Sequence, residues 1–494
     1  MRLKLIPAGL MILGLIAIPL AQAQQAGPDY RDSKVLPQGS QGAHIQALIA
    51  AINSGETGRA RAFLDKDCTK KFREAFPIEA HVEEFARFLG NTGGIDFFGI
   101  RSYSPPRPET VVIVKDREMG GYWGLNLRFG PAPDSLVDGL GFNPARPPLD
   151  LNEPPLTEKQ AIEEIRALVD KLAAKGRLSG TVLVAKGPDI LFTKAAGEAS
   201  KAYHVPNNID TKFNLGSMNK MFTATAAARL VEQGKLSFDD PIGKYIDETW
   251  LPKAVTGKIT LRHLLTHTSG LGSYFNETYV RSSRDLFRKL DDYKPLIKDD
   301  RPAFPPGTKY QYSNTGMFLA GVVIEKATGE DYFEHIRKAI YGPAGMTNTD
   351  CYEMDRPVEN LAIGYSPDPA SPYKWRNNLY THVLKGGPAG GGFSTVKDLH
   401  KFALALLSGK LVSKGMLDTL WADFIGAGYG YGFGIRQGGG DKIVGHSGGF
   451  NGINSELNIH LKSGYIVAVM SNYDNGASPL TTRINLILGR VPTT

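Results

Sequence analysis

The chain has 494 residues, 22% of them charged and 42% hydrophobic, with 57 Lys and Arg against 50 Asp and Glu and only 2 Cys. That much apolar content with so few cysteines excludes a disordered chain, a fibrous repeat and a disulfide scaffold. A formal net charge of +7 over this length gives no argument for a nucleic-acid partner, and at about 100 to 200 residues per domain two or three globular domains are expected.

Arg2 and Lys4 precede an apolar run over residues 5–20 that ends in the small-residue site Ala21-Gln22-Ala23. This pattern predicts a cleaved secretory signal over residues 1–23, and with it a periplasmic or secreted protein. Pro19 and the polar Gln22, Gln24 and Gln25 interrupt the run short of the ~20 apolar residues of a membrane span, so no transmembrane anchor is expected after cleavage. Export leads to an oxidising compartment, where Cys68 and Cys351 could pair. Far apart and in what read as different domains, they are expected instead to be two buried, unpaired thiols.

Residues 24–143 read as a small α+β accessory domain. Ile45, Leu48, Ile49, Ile52, Ala60, Phe63 and Leu64 fall at helical spacing over residues 43–64, interrupted by the turn Asn53-Ser54-Gly55, and a second helix is predicted over 78–89. Strand-like runs follow at 95–103, 110–114 and 122–129, separated by Gly and Pro. Helices first and a short meander after resemble the nuclear transport factor 2-like (SnoaL-like) cone, which implies a binding or packing accessory. Pro144, Pro147, Pro148, Pro154 and Pro155 then mark an extended linker over 144–156.

The third segment, residues 157–494, opens with a capping box, Thr157 and Gln160, before Ile162, Ile165, Leu168, Val169 and Leu172, and Gly176 ends that helix. A hairpin is predicted from residues 180–185 and 190–193 around Gly187-Pro188-Asp189. A helix follows over 217–233. At its start stands Ser217-Met218-Asn219-Lys220, where Ser and Lys three apart share one helical face. A serine hydroxyl needs a base to become a nucleophile, and a lysine serves only where burial or nearby cations keep it neutral. The helix start also offers N–H groups and a positive dipole end to an acyl oxyanion.

Two further elements complete the constellation. Tyr312-Ser313-Asn314 follows Phe304-Pro305-Pro306-Gly307, a turn suited to a loop that presents side chains. Tyrosine can relay a proton to a leaving group and asparagine can hold a substrate carbonyl. His446-Ser447-Gly448-Gly449 is entered from the Gly-rich run over residues 428–434, where glycines would let a substrate backbone approach a strand edge.

With these SxxK, YSN and HSG elements in order, and with Leu264-Leu265-Thr266-His267-Thr268-Ser269-Gly270-Leu271, Gly342-Pro343-Ala344-Gly345-Met346 and Gly390-Gly391-Gly392-Phe393-Ser394-Thr395, the chain from residue 157 to the end resembles the serine β-lactamase and penicillin-binding protein superfamily, in its class C β-lactamase, D-alanyl-D-alanine carboxypeptidase and esterase branch. The resemblance implies an α+β fold: an antiparallel sheet flanked by helices, including those at both chain ends, beside an all-helical lobe. It makes Ser217 the acylated nucleophile, Lys220 its base, Tyr312 the proton shuttle and Asn314 a substrate-orienting group. Ser447, Gly448 and Gly449 would line the substrate, with the amides of Ser217 and Gly449 as oxyanion hole. His446 replaces the lysine often found in the third motif. Its ordinary pKa of about 6.5 predicts weaker recognition of anionic β-lactams and an inflection near neutrality in the pH-rate profile.

Other motifs in the chain fit their chemistry less well. Gly445-His446-Ser447-Gly448-Gly449 spells GxSxG, which would make Ser447 an elbow nucleophile, but that arrangement needs a helix and then an acid and a histidine in that order, whereas Phe450-Asn451-Gly452 is turn-like and the only later histidine, His460, precedes Asp474. His263 and His267 have zinc-ligand spacing but lack the glutamate of HExxH, and a structural role is expected. Residues 386–392 are Gly-rich without a phosphate-loop ending and read as a turn before a helix over 397–407. The charged residues 291–301 read as a solvated loop or lid. Strands at 456–460 and 466–470 and a helix around 482–488 end the chain.

The sequence thus describes an exported serine hydrolase that opens an ester or amide bond of a small-molecule or peptide substrate through an acyl-enzyme on Ser217, with no metal or cofactor needed. The alternatives are a β-lactamase and a catalytically idle penicillin-binding-like module that holds a ligand.

Overall fold

The helical spacing over residues 43–64 resolves into two helices, α1 (Ser40–Ser54) and α2 (Thr57–Asp67), because Gly55 adopts φ 66° and closes the first. The computed structural model describes residues 29–149, 153–368 and 374–492; the leader expected over residues 1–23 lies outside them. The chain divides into two units, Gly176–Ser478 and Ala26–Lys175 together with Pro479–Thr494.

In the second of these units, α3 (Lys70–Glu74) and α4 (Ile78–Thr92) follow α2. Five strands, β1 (Asp29–Ser33), β2 (Ile95–Ser104), β3 (Thr110–Asp116), β4 (Tyr122–Phe129) and β5 (Val137–Pro144), pair antiparallel in sequential order. Ile45, Leu48, Ile52, Phe63, Phe85 and Phe88 bury against Val112, Val114, Leu125 and Leu127. Each such side chain contributes about 1.5–3 kcal/mol of transfer free energy. Two strands escape the sequence reading. In β1 the anchor is electrostatic: Asp32 lies opposite Arg101 and accepts two 2.8 Å bonds from its guanidinium, with both side chains almost sealed from water. β5 contains Gly139, Gly141 and Pro144 and forms through its ladder with β4 rather than through side-chain propensity. The helix α5 (Glu158–Ala174) has the expected capping box, and its Glu164 receives Arg483 and Arg490 from the terminal segment.

The other unit is built on a six-stranded antiparallel sheet. Its strands are β6 (Gly180–Lys186), β7 (Asp189–Ala196), β8 (Gly434–Gly438), β9 (Asp441–Phe450), β10 (Ile453–His460) and β11 (Tyr465–Ser471), in the order β8-β9-β10-β11-β6-β7. All residues of β10 and β11 are buried, which accounts for the apolar run of β11, whereas β10 also buries Asn454, Ser455, Glu456, Asn458 and His460. Helix α6 (Asn219–Glu232) packs with α7 (Asn314–Thr328), and α8 (Val396–Leu407) lies on β6 and β11. Trp250, Leu264, Leu265, Phe318 and Val322 fill the helical part. This is the flanked sheet with a helical lobe that the resemblance implies.

Residues 291–301 depart from the expected solvated loop. Leu290–Tyr293 and Lys294–Ile297 are short helices whose Leu290, Tyr293, Leu296 and Ile297 are buried, and the Tyr293 ring lies 4.4 Å from that of Phe318. The apolar residues turn inward at helical spacing while the charges stay outside. Cys68 and Cys351 are both buried and unpaired, and burial pushes each thiol up to about 12.

Candidate active site

The turn that carries Ser217 is braced by one side chain and by neighbouring backbone. Asn214 Oδ1 accepts the Gly216 amide at 2.8 Å, the Leu215 amide donates to the Gly392 carbonyl at 2.7 Å, and the Gly216 carbonyl accepts from Gly391 at 3.0 Å. Gly216 has φ 50°, and a Cβ there would stand 2.8 Å from the Gly449 nitrogen. Ser217 therefore sits in a single 3₁₀ turn, Gly216–Met218, ahead of α6, and not in the first α-helical turn expected at residue 217. Ser217 keeps partial exposure, whereas Met218, Asn219 and Lys220 are buried.

Lys220 is wholly enclosed. Its Nζ lies 3.0 Å from Ser217 Oγ, 3.0 Å from Asn314 Oδ1 and 2.5 Å from the Ala389 carbonyl, and it stands over the Tyr312 ring at 4.8 Å. Desolvation holds the amine well below its usual range. A neutral amine has two N–H donors and one lone pair. Asn314 Oδ1 and the Ala389 carbonyl can only accept, so they take the two donors and the lone pair is left for the Ser217 hydroxyl proton. The geometry thus supports a base already aimed at its nucleophile.

Tyr312, Ser313 and Asn314 enter α7 together. Ser313 caps that helix by accepting the Gly316 amide at 2.8 Å. Burial pushes the Tyr312 phenol above its usual range, with hydrogen bonding to Ser217 partly opposing the rise. Near neutrality the phenol is an acid, suited to give a proton to a departing group rather than to take one from Ser217. Asn314 offers Oδ1 to Lys220 and donates from Nδ2 to Ser273 Oγ at 3.2 Å.

The two histidines with zinc-like spacing serve separate backbone contacts. His263 Nδ1 accepts the Thr260 amide at 3.1 Å, while His267 Nδ1 accepts the Ser313 amide at 3.1 Å. Ring centroids place His267 4.3 Å from Tyr312 and 4.6 Å from Tyr429. His267 thereby fixes the loop that presents Tyr312. Among the described residues no group of three or more His, Cys, Asp or Glu gathers as a metal site would require.

His446 lies on β9. Its Nδ1 donates to the Ser447 carbonyl at 2.5 Å, so Nε2 is the acceptor for the Tyr429 hydroxyl at 2.9 Å. Burial lowers its pKa to about 3. This corrects the inflection near neutrality expected of it: His446 is neutral throughout the physiological range. The segment Gly445–Gly449 lies within the straight strand β9, paired with β10, and does not form the sharp strand-to-helix elbow that a nucleophilic Ser447 requires.

Gly448 explains why this strand carries glycine. A Cβ there would meet the Leu215 carbonyl at 1.9 Å and the Ser217 nitrogen at 2.9 Å. The close approach sets the Gly449 and Ser217 amides on adjoining chains, the arrangement an oxyanion hole needs. Ser447 remains partly exposed on the same strand.

Three contributors had no clear signal in the sequence. Asn219, buried between Ser217 and Lys220, accepts the Gly392 amide at 3.1 Å and donates to the Gly387 carbonyl at 3.1 Å. It thereby holds the Gly-rich loop 386–392 so that Ala389 reaches Lys220. The loop does more than lead into α8: it walls the nucleophile. Tyr429 was visible only as one member of a Gly-Tyr run.

Comparison with known proteins adds family evidence to this geometry. The beta-lactamase family profile matches residues 165–489. The chain belongs to the beta-lactamase family. It is 31% identical over 312 residues to penicillin-binding protein 4* of Bacillus subtilis (strain 168), covering 60% of this chain and 68% of that protein. To esterase EstB of Burkholderia gladioli it is 30% identical over 241 residues, 46% of this chain and 60% of the esterase. The crystal structure of a D-stereospecific amidohydrolase from Streptomyces sp. superposes with a TM-score of 0.55 at 27% identity, covering 67% of this chain and 98% of that one. Among the described residues no helix is long and apolar enough to cross a membrane.

Proposed function

We propose that this member of the beta-lactamase family is an exported serine hydrolase that opens ester or amide bonds through an acyl-enzyme on Ser217, acting as an esterase or a D-peptide hydrolase. The observation that carries the reading is the buried Lys220 amine, whose two committed donors leave its lone pair facing Ser217 Oγ at 3.0 Å. In this reading Lys220 takes the hydroxyl proton as Ser217 attacks the carbonyl, and the amides of Ser217 and Gly449 meet the developing oxyanion. Tyr312 protonates the leaving group and regains a proton from the Lys220 ammonium, which restores the neutral amine; a water then attacks the acyl carbonyl, Lys220 takes its proton, and that proton returns to Ser217 Oγ as the acid departs.

Similarity to an esterase and to a D-stereospecific amidohydrolase supports these two bond types. The neutral His446 favours them over anionic β-lactams, since no cation stands at that position to receive a substrate carboxylate. The charged, apolar and small-residue order of residues 1–23 supports export. The test is turnover of a panel of p-nitrophenyl esters, D-amino acid amides and nitrocefin. The reading expects turnover of esters or amides that Ser217→Ala abolishes. Turnover confined to nitrocefin, or activity that survives Ser217→Ala, would overturn it.

A further inference from the structure

Two aromatic rings stand in solvent beside this site. Phe275 is 36% exposed and Phe450 38% exposed, yet their centroids lie 5.8 Å apart at an interplanar angle of 28°. They come from opposite walls. Phe450 closes β9, one residue past the Gly449 amide. Side chains alternate along a strand, so His446, Gly448 and Phe450 share a face. On that face Gly448 meets the Ser217 turn and His446 meets Tyr429. Phe450 therefore projects toward the nucleophile's side.

Phe275 arrives from the loop after Gly270. Ser273 Oγ accepts its amide at 3.3 Å and also accepts Asn314 Nδ2 at 3.2 Å, and Asn314 in turn receives Lys220. Behind it, Tyr274 and Tyr279 hold the ring at 4.5 and 4.9 Å. One hydrogen-bonded chain thus joins the position of this ring to that of the catalytic amine. Paired exposed aromatics beside a reactive group keep a hydration cost that an apolar ligand would relieve.

We propose that Phe275 and Phe450 form an aromatic clamp for an uncharged, ring-bearing group beside the scissile carbonyl, which makes aryl or arylalkyl esters and amides the preferred substrate class. This rests on Ser217 being the acylated residue. The neutral state of His446 is in keeping with it, because the third motif then presents no cation to an acidic substituent.

The test compares second-order rates of Ser217 labelling by two fluorophosphonates, one bearing a phenylalkyl group and one a methyl group. The full-length protein is expected to favour the phenylalkyl probe at least tenfold. Phe275→Ala and Phe450→Ala should each cut that ratio at least fivefold, and the double variant should bring it near one. Ile190→Ala, an exposed apolar residue on β7, should keep the original ratio. A ratio unchanged in the Phe variants, or no preference in the unaltered protein, overturns the clamp while leaving Ser217 as nucleophile. Absence of any Ser217 label overturns both readings.

Discussion

The Tyr429 hydroxyl donates to Nε2 of His446 across 2.9 Å, and this bond, with the one from Nδ1 to the Ser447 carbonyl, leaves the imidazole no reason to take a second proton. With a pKa lowered to about 3, His446 has no titration to contribute near neutrality. The group whose state matters there is Lys220, held low by burial. Activity requires the free amine, so the rate of Ser217 acylation should rise with pH through the Lys220 pKa. His446→Gln should leave that rise in place. His446→Lys adds a cation nearby and should move it to lower pH. A pH profile of labelling rate for the three proteins checks this, and a rise that vanishes in His446→Gln would contradict it.

Lys220 also predicts how stability responds to pH. Its folded pKa is depressed, so between that value and the ordinary one near 10.4 the unfolded chain binds the additional proton. Stability should therefore increase as pH rises through that window, by up to about 1.4 kcal/mol per pH unit. Lys220→Met removes the titration. Denaturant unfolding of both proteins between pH 7 and 10 should show the unaltered protein gaining on the variant as pH rises. Parallel curves would contradict a buried neutral amine.

Tyr312 should distinguish substrates by leaving group. A phenol held protonated by burial is needed most where the departing amine must receive a proton, and little where p-nitrophenolate leaves unaided. Tyr312→Phe is expected to lower amide turnover about 100- to 10,000-fold and to affect p-nitrophenyl ester turnover far less. Equal losses on both would point to a positioning role instead.

Asn219 is expected to act through the loop it holds. Asn219→Ala leaves the Gly392 amide and the Gly387 carbonyl without this partner, at a cost of about 1–3 kcal/mol in stability. Because Ala389 then loses its fixed place against Lys220, the Ser217 labelling rate should fall tenfold or more. A lower melting temperature with an unchanged labelling rate would show that the loop does not need Asn219 to present Ala389.

What was legible in the sequence follows from the range of each interaction. Ser217 and Lys220 are one helical turn apart, and the Thr157 and Gln160 capping box is equally local, so spacing sufficed. The turn at Gly55 announced itself in the same way. By contrast, β1 depends on Asp32 meeting Arg101, and Lys220 depends on the Ala389 carbonyl, a backbone atom that any residue type supplies. Tyr429 is one tyrosine of a Gly-Tyr run until its partner His446 is brought opposite. The neutrality of His446 is likewise a property of its enclosure, so a reading based on its ordinary pKa placed its titration too high. In residues 291–301 the charge count concealed three inward apolar side chains.

The central claim is that Ser217 forms the covalent intermediate. Mass spectrometry of the peptide map after reaction with a fluorophosphonate tests it most directly. The account predicts one adduct on Ser217 in the unaltered protein and in Ser447→Ala, and none in Ser217→Ala. An adduct on Ser447, or one that persists in Ser217→Ala, would contradict it.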